Sequence, residues 1–324
     1  MMRTWIKALV AGLVILVLGF GTYVIAARSG WLTLDEETLR ARYALPESQY
    51  TTIDGELTHF TDEGEGPAVV LIHGSYDNLR NWQAWVDLLK DRYRVIRFDR
   101  PHQGLSGPAA PGRTGADHEL RVVEALTASL GVERFFLVAT SSAGVSGAAY
   151  AADRPDQVMG LILSNIGIGD FTGESEFGPI MRAKIAMQPL FNRYRSTEFW
   201  RQVHLAHFHN DDRVTVEGAR EWSELNNRAL RMRPRIYVPN RDRTTTDLQR
   251  MQVPTLLLWS EHDHERPVEI VGQLGLDLLA SEDKRLEVVP DCGHMMPNEC
   301  AAESAPYAAA FFDRIVAAEA GATR

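Results

Sequence analysis

The stretch Phe135-Phe-Leu-Val-Ala-Thr-Ser141-Ser-Ala-Gly144-Val-Ser-Gly147 most limits what this chain can fold into. Phe135 to Ala139 carry no charge and read as a buried strand. They run into a tight Thr-Ser-Ser-Ala-Gly turn, after which Gly147-Ala-Ala-Tyr-Ala-Ala reads as a helix of small residues. A strand, a sharp turn and a helix, with Ser at the apex, is the layout of a nucleophile elbow. A backbone bent that sharply leaves no room for large side chains two residues either side of the apex. Ala139 and Ala143 stand at those places, where Gly is usual. Two registers are open. Placing Ser142 at the apex would put β-branched Thr140 at a crowded flank and move the hydroxyl further from the strand end, so Ser141 is preferred. Taken alone, the motif also fits a Ser-rich turn capping a helix.

The rest of the chain supplies the context. Asp54-Gly55 between Tyr50-Thr-Thr-Ile and Glu56-Leu-Thr-His-Phe signals a hairpin. Buried strands are expected at Ala68–Ile72, Tyr93–Phe98, Val158–Leu163, Val253–Trp259 and Leu286–Val289, with helices at Trp82–Lys90, Asp117–Leu130, Val268–Leu279 and Ala301–Ala317. Strands alternating with helices predict an α/β chain whose mostly parallel sheet is covered on both faces. The alternation breaks over 167–251, a stretch rich in Arg, Phe, Trp and Met at helical spacing. It reads as a helical cap inserted before the penultimate strand, splitting the core into 48–166 and 252–324. Most of its Phe171, Phe177, Met181, Phe191, Phe199 and Trp200 should pack the cap onto the core, and some should line an apolar pocket.

The amino terminus differs from all this. Ala8 to Ala27 is uncharged, long enough to cross a hydrocarbon layer of about 30 Å. Arg3 and Lys7 precede it, and Asp35-Glu-Glu follows Arg28, which favours the amino end in the cytoplasm and the bulk of the chain outside. Residues 1–29 thus read as a membrane anchor, with a cleaved signal peptide as the competing reading because Val24-Ile-Ala26 resembles a cleavage site. Residues 30–47 read as a helical spacer, opened by a capping box at Thr33–Glu36. The net charge is −9, and residues beyond the cationic first 29 are more acidic still, which argues against nucleic acid as a partner. An exported location permits a disulfide between the two cysteines, Cys292 and Cys300; two free thiols are the alternative.

A serine hydroxyl needs a base to take its proton, and the base needs an acid to fix its tautomer. Asp263 follows the strand ending at Trp259, and His294 follows the last strand through Pro290-Asp-Cys-Gly. Each therefore sits at a strand's carboxyl end, the rim where such sheets bind ligands, in the chain order Ser, acid, His. Asp99 precedes the serine and reads as a loop-stabilising group; Asp291 reads as a turn residue. His262 and His264 read as a solvated loop. His204, His207, His209, Asp211 and Asp212 match no standard zinc spacing.

With His73-Gly74, Asp99-x-Pro-x-x-Gly104-x-Ser106, the Ser141 turn, Ser260-Glu-His-Asp263 and Gly293-His294, the chain from about Gln49 onward resembles the capped α/β-hydrolase fold family. The resemblance implies Ser141 as nucleophile, His294 as general base and Asp263 as orienting acid. It implies an oxyanion hole from the backbone N–H groups of Ser75 and Ser142, and places His73, Gly74 and His102 beside the substrate. Two departures are Ala on both flanks of Ser141, and His102-Gln103 where Gly-His is usual. A serine rather than an aspartate at the apex resembles esterases, lactonases and carbon–carbon bond hydrolases, with no metal or organic cofactor required. The expected substrate is a small apolar ester or lactone; carbon–carbon cleavage by the same residues and a noncatalytic ligand-binding protein are the alternatives. The oligomeric state is not legible.

Overall fold

The computed structural model describes residues 2–110, 113, 115–169, 171, 178–191, 194–232 and 241–322. Phe177, expected among the cap aromatics, lies outside the described residues. Eight strands form one sheet: β1 (Gln49–Ile53), β2 (Glu56–Glu63), β3 (Ala68–Ile72), β4 (Arg94–Phe98), β5 (Phe135–Thr140), β6 (Val158–Ser164), β7 (Thr255–Ser260) and β8 (Lys284–Val289). Their order is β1-β2-β4-β3-β5-β6-β7-β8. The β1–β2 hairpin and the β2–β4 pair are antiparallel, and every other pair is parallel.

Twelve helices occur among the described residues: α1 (Met2–Ser29), α2 (Glu36–Tyr43), α3 (Gln83–Leu89), α4 (Ala116–Ser129), α5 (Gly144–Asp153), α6 (Pro179–Met187), α7 (Thr197–His207), α8 (Val216–Met232), α9 (Arg241–Leu248), α10 (Gln273–Leu278), α11 (Met296–Glu299) and α12 (Ala301–Ala322). Strand side chains alternate between the sheet's faces. Val70, Ile72, Leu137 and Ala139 enter one core with α4, α5 and α9. Val69, Leu71, Phe136 and Val138 enter the other with α3 and α12. Both faces are thus buried, which is why these strands read as unbroken apolar runs rather than alternating ones.

Two local expectations shift. Helix α2 is capped by Asp35, whose carboxylate accepts from the Thr38 N–H at 2.7 Å, and not by Thr33. A carboxylate at that position also suits the positive end of the helix dipole better than a hydroxyl does. The same helix is docked rather than free-standing: Leu39 is fully buried with Leu105 and Leu225, and Glu36 accepts from Arg228 of α8 at 2.6 Å. Within 167–251, α6 to α8 stand over the carboxyl rim of the sheet. Leu248 and Met251 pack into the main core instead.

Candidate active site

The apex of the elbow is set by backbone geometry. Ser141 has φ 51°, in the left-handed region that a residue with a Cβ rarely adopts, and such strain concentrates at functional sites. Helix α5 crosses β5 so closely that a Cβ on Gly147 would meet the Ala139 methyl at 2.6 Å. The small residues flanking Ser141 therefore serve this crossing, and Ala suffices at 139 because Gly147 opposes it. Gly74 serves the apex from the neighbouring strand end, since a Cβ there would stand 3.2 Å from that of Ser141.

Strand ends bring three distant residues together. Ser141 follows β5, Asp263 follows β7 and His294 follows β8. The Ser141 hydroxyl is 3.1 Å from His294 Nε2, and His294 Nδ1 is 2.8 Å from Asp263 Oδ2. The carboxylate orients the imidazole by accepting from Nδ1, which leaves Nε2 as the nitrogen that faces the serine hydroxyl. Asp263 also accepts from the Arg266 N–H at 2.9 Å. The loop bearing His294 is held from several sides. Cys292 and Cys300 are joined as a disulfide with Cα atoms 6.1 Å apart. Glu299 accepts from the Gly293 N–H, and the His294 N–H donates to the His207 carbonyl at 2.8 Å. Asn165, itself at φ 51°, donates to the His294 carbonyl and to Ser260.

A second carboxylate stands on the other side of the imidazole. Glu265 Oε2 is 3.4 Å from His294 Nε2, while Oε1 is 3.2 Å from His207 Nε2. Burial alone would lower the His294 pKa, but the charges of Asp263 and Glu265 outweigh it and push it up to about 9. The same attraction holds Glu265 well below the usual carboxylate range, against its own burial.

These residues open onto a cavity of about 480 Å³. Its floor is Gly74, Ser75, Ser141, Ser142 and His294; its walls come from the cap, through Met181, Phe199, Trp200 and Trp222, with Tyr76 and Val145 from the core. Among the described residues, the cap contributes Arg195 to this wall, stacked over the rings of Tyr76, Phe199 and Trp200 at 5.0 to 5.3 Å. The Ser75 hydroxyl donates to that of Ser142 at 2.8 Å, and Arg100 donates to the same oxygen.

Two expected substrate contacts are not in the cavity. His73 is fully buried, its Nδ1 bonded to the Gly74 carbonyl and its Nε2 accepting from the Arg100 N–H, so it braces the loop after β3 from behind. His102, at φ 58°, donates its backbone N–H to the Gly107 carbonyl, and its ring does not line the cavity. Asp99 accepts from the N–H groups of Leu79 and Leu105, both at 2.7 Å, and bonds His59 at 2.6 Å, which ties three loops together.

The three cap histidines go to different surroundings. His204 is buried against Phe208 and Trp222, and burial pushes it down to about 4, so it stays neutral. His207 meets Glu265, and His209 stacks on His262 at 3.7 Å. Glu265, Asn165 and Arg195 were missed from sequence, and His207 was weighed there only as a metal ligand. Glu265 carried one signal, its place two residues past Asp263 in the same loop.

Comparison with known proteins agrees with this architecture. The sequence model of the alpha/beta hydrolase family matches residues 69–309. Among curated proteins, a 2-hydroxy-6-oxononadienedioate/2-hydroxy-6-oxononatrienedioate hydrolase of Burkholderia vietnamiensis is 27% identical over 73% of this chain and 84% of its own. A 2-hydroxy-6-oxo-6-phenylhexa-2,4-dienoate hydrolase of Comamonas testosteroni is 26% identical over 76% and 88%. Among solved structures, a bacterial membrane phospholipase A superposes with TM-score 0.67 at 24% identity, over 95% of this chain and 99% of that one. A meta-cleavage product hydrolase from Pseudomonas fluorescens IP01 gives TM-score 0.67 at 21% identity, over 82% and 97%. At such identities the structural likeness speaks for the fold.

Proposed function

The chain belongs to the alpha/beta hydrolase family, and within it we propose a membrane-anchored serine hydrolase that cleaves a carboxylic ester or lactone through an acyl-enzyme on Ser141. The observation that carries this reading is the hydroxyl–imidazole–carboxylate chain of 3.1 and 2.8 Å opening into a mainly apolar cavity. His294 Nε2 takes the proton as Ser141 Oγ attacks the carbonyl carbon. The resulting oxyanion is held by the backbone N–H groups of Ser142 and Ser75. As the tetrahedral adduct collapses, His294 gives its proton to the departing alkoxide. Water, deprotonated by the same imidazole, then attacks the acyl-enzyme and releases the acid. Base assistance contributes ~10²–10⁴ in rate, and one oxyanion donor about 3–4 kcal/mol. No step calls for a metal or organic cofactor.

The protonated resting state sets a condition. With His294 pushed up to about 9, the base is mostly charged at neutral pH, and the rate should rise through mildly alkaline pH rather than level off above the reference value of about 6.5. Helix α1 is uncharged from Ala8 to Ala27 with Arg3 and Lys7 at its amino end, which supports an anchor with the hydrolase body outside the cytoplasm; a signal sequence passes the same test.

A second reading has a specific observation behind it. The curated relatives are named for 2-hydroxy-6-oxo-dienoates, whose hydrolysis at the ketone breaks a carbon–carbon bond. Those substrates carry carboxylate, for which Arg195 in the cavity wall is a suitable partner. A panel of aryl esters of rising acyl length beside a 2-hydroxy-6-oxo-dienoate separates the two. The ester reading predicts kcat/KM at least tenfold higher for a medium-chain ester; a preference for the dienoate overturns it in favour of carbon–carbon cleavage. Cleavage of neither class by folded protein would favour a binding protein.

A further inference from the structure

A second cavity, of about 270 Å³, lies between α1 and the cap. Tyr23 lines it on the side of α1, with Lys184, Met187, Phe191 and Tyr194 from the cap; Phe199 lines both this space and the cavity above Ser141. Helix α6 is the partition, turning Met181 and Ile185 to the catalytic side and Lys184 and Met187 to the other. The turn after α6 rests on the apolar helix itself: Phe191 meets Phe20 edge-on at 6.2 Å and Tyr23 at 5.6 Å, and Arg28 donates to the carbonyls of Pro189 and Leu190.

The depth of that contact is informative. Phe20 and Tyr23 lie seven and four residues before Ala27, where the uncharged segment ends. At 1.5 Å per helical residue they sit about 10 and 6 Å inside its end. A cap turn packed against them is therefore level with the outer part of the hydrocarbon layer that α1 can span. The surface has the matching chemistry. Ile180, Ile185, Met187 and Leu190 are all exposed within eleven residues, and Ile185 and Met187 also line the two cavities. From 178 to 191 this edge carries two basic side chains, Arg182 and Lys184, and no acidic one, in a chain of net charge −9. Exposed apolar groups interspersed with cations suit an anionic lipid surface.

We propose that the α6 edge of the cap is seated in the outer leaflet of the bilayer, and that the acyl substrate of Ser141 is a membrane lipid entering between this edge and α1. The proposal takes the ester chemistry and the anchor as given. It assigns the second cavity to the passing acyl chain and Phe199 to the threshold between the two spaces.

The test uses the full chain, with α1 verified by intact mass, reconstituted in vesicles of phosphatidylcholine and phosphatidylglycerol. An environment-sensitive fluorophore is placed at Leu190→Cys and, as a control, at Val288→Cys, which is exposed on β8. The Leu190 probe should be quenched by doxyl-labelled lipid and shielded from iodide, with the reverse at Val288. Iodide quenching at Leu190 overturns the seating. Shielding from both quenchers also overturns it, and points to a second copy of the chain covering the edge.

In parallel, Leu190→Glu should lower the ratio of long-chain lipid turnover in vesicles to soluble short-ester turnover at least tenfold. An unchanged ratio overturns the route. Lipid quenching at Leu190 in a protein that cleaves no ester would leave the seating standing and sink the ester reading instead.

Discussion

The catalytic rim and the cap wall face each other across one cavity, yet they are built on different principles. Each rim residue is fixed by the end of a strand whose hydrogen-bonded ladder leaves little freedom: Ser141 after β5, Asp263 after β7, His294 after β8. The cap wall comes from α6 to α8, whose side chains converge through packing among Met181, Phe199, Trp200, Ala219 and Trp222 and through bonds from Ser223 and Asn227 to the backbone of Arg195. Under the proposed function the reaction, which tolerates little displacement, belongs to the rim. Substrate choice then belongs to the wall, which is held by a small cluster of its own. Several bonds couple them, among them the His294 N–H to the His207 carbonyl, the His207 ring to Glu265, and the His209 N–H to Glu299.

This contrast predicts large losses at the rim with the fold intact. Ser141→Ala should lower turnover on the order of 10⁶-fold without changing the circular dichroism or melting temperature. Appreciable residual activity would transfer the role to Ser142. Asp263→Asn should cost about 10⁴-fold, because the amide favours the wrong imidazole tautomer; a loss of only a few-fold would mean that another acid orients His294.

Glu265 tests the rim's electrostatics. Its charge and that of Asp263 outweigh burial and push the His294 pKa up to about 9, which under the proposed mechanism shifts the working base to alkaline pH. Glu265→Gln removes one of the two raising charges, and the ascending limb of kcat/KM should move toward about 6.5, increasing activity at pH 7 by about several-fold to tens-fold. A fall in activity with an unmoved limb would make Glu265 a positioning residue only.

The cap should respond more mildly. Trp200, almost fully buried, loses about 3–5 kcal/mol of local packing on Trp200→Ala. KM should rise about tenfold while Ser141 stays reactive toward a small acylating reagent; equal loss of both would show that wall and rim form one unit.

The same contrast explains what the sequence could reveal. Uncharged runs such as Ala68–Ile72 and Phe135–Thr140 are buried on both faces, so the strands are legible as apolar runs, and the residues just past their carboxyl ends can be placed by motif. The cap reads as helical because its apolar spacing is helical. Which face of α6 or α7 meets substrate depends on the tilt of each helix against the core, and no local pattern records that. His73 and His102 were misplaced for a related reason. A polar side chain next to a catalytic loop can brace the loop from behind as well as face the ligand, and the His73 bonds to Gly74 and Arg100 choose the former. Glu265 escaped notice because its partners, His294 and His207, come from distant parts of the chain that meet only in the fold.

The most direct measurement is labelling of the folded protein with a fluorophosphonate, followed by peptide mapping, in the wild type and in His294→Ala. The account predicts one adduct, on Ser141, forming at least a hundredfold faster in the wild type. Labelling on another residue, or at the same rate without the imidazole, would contradict it.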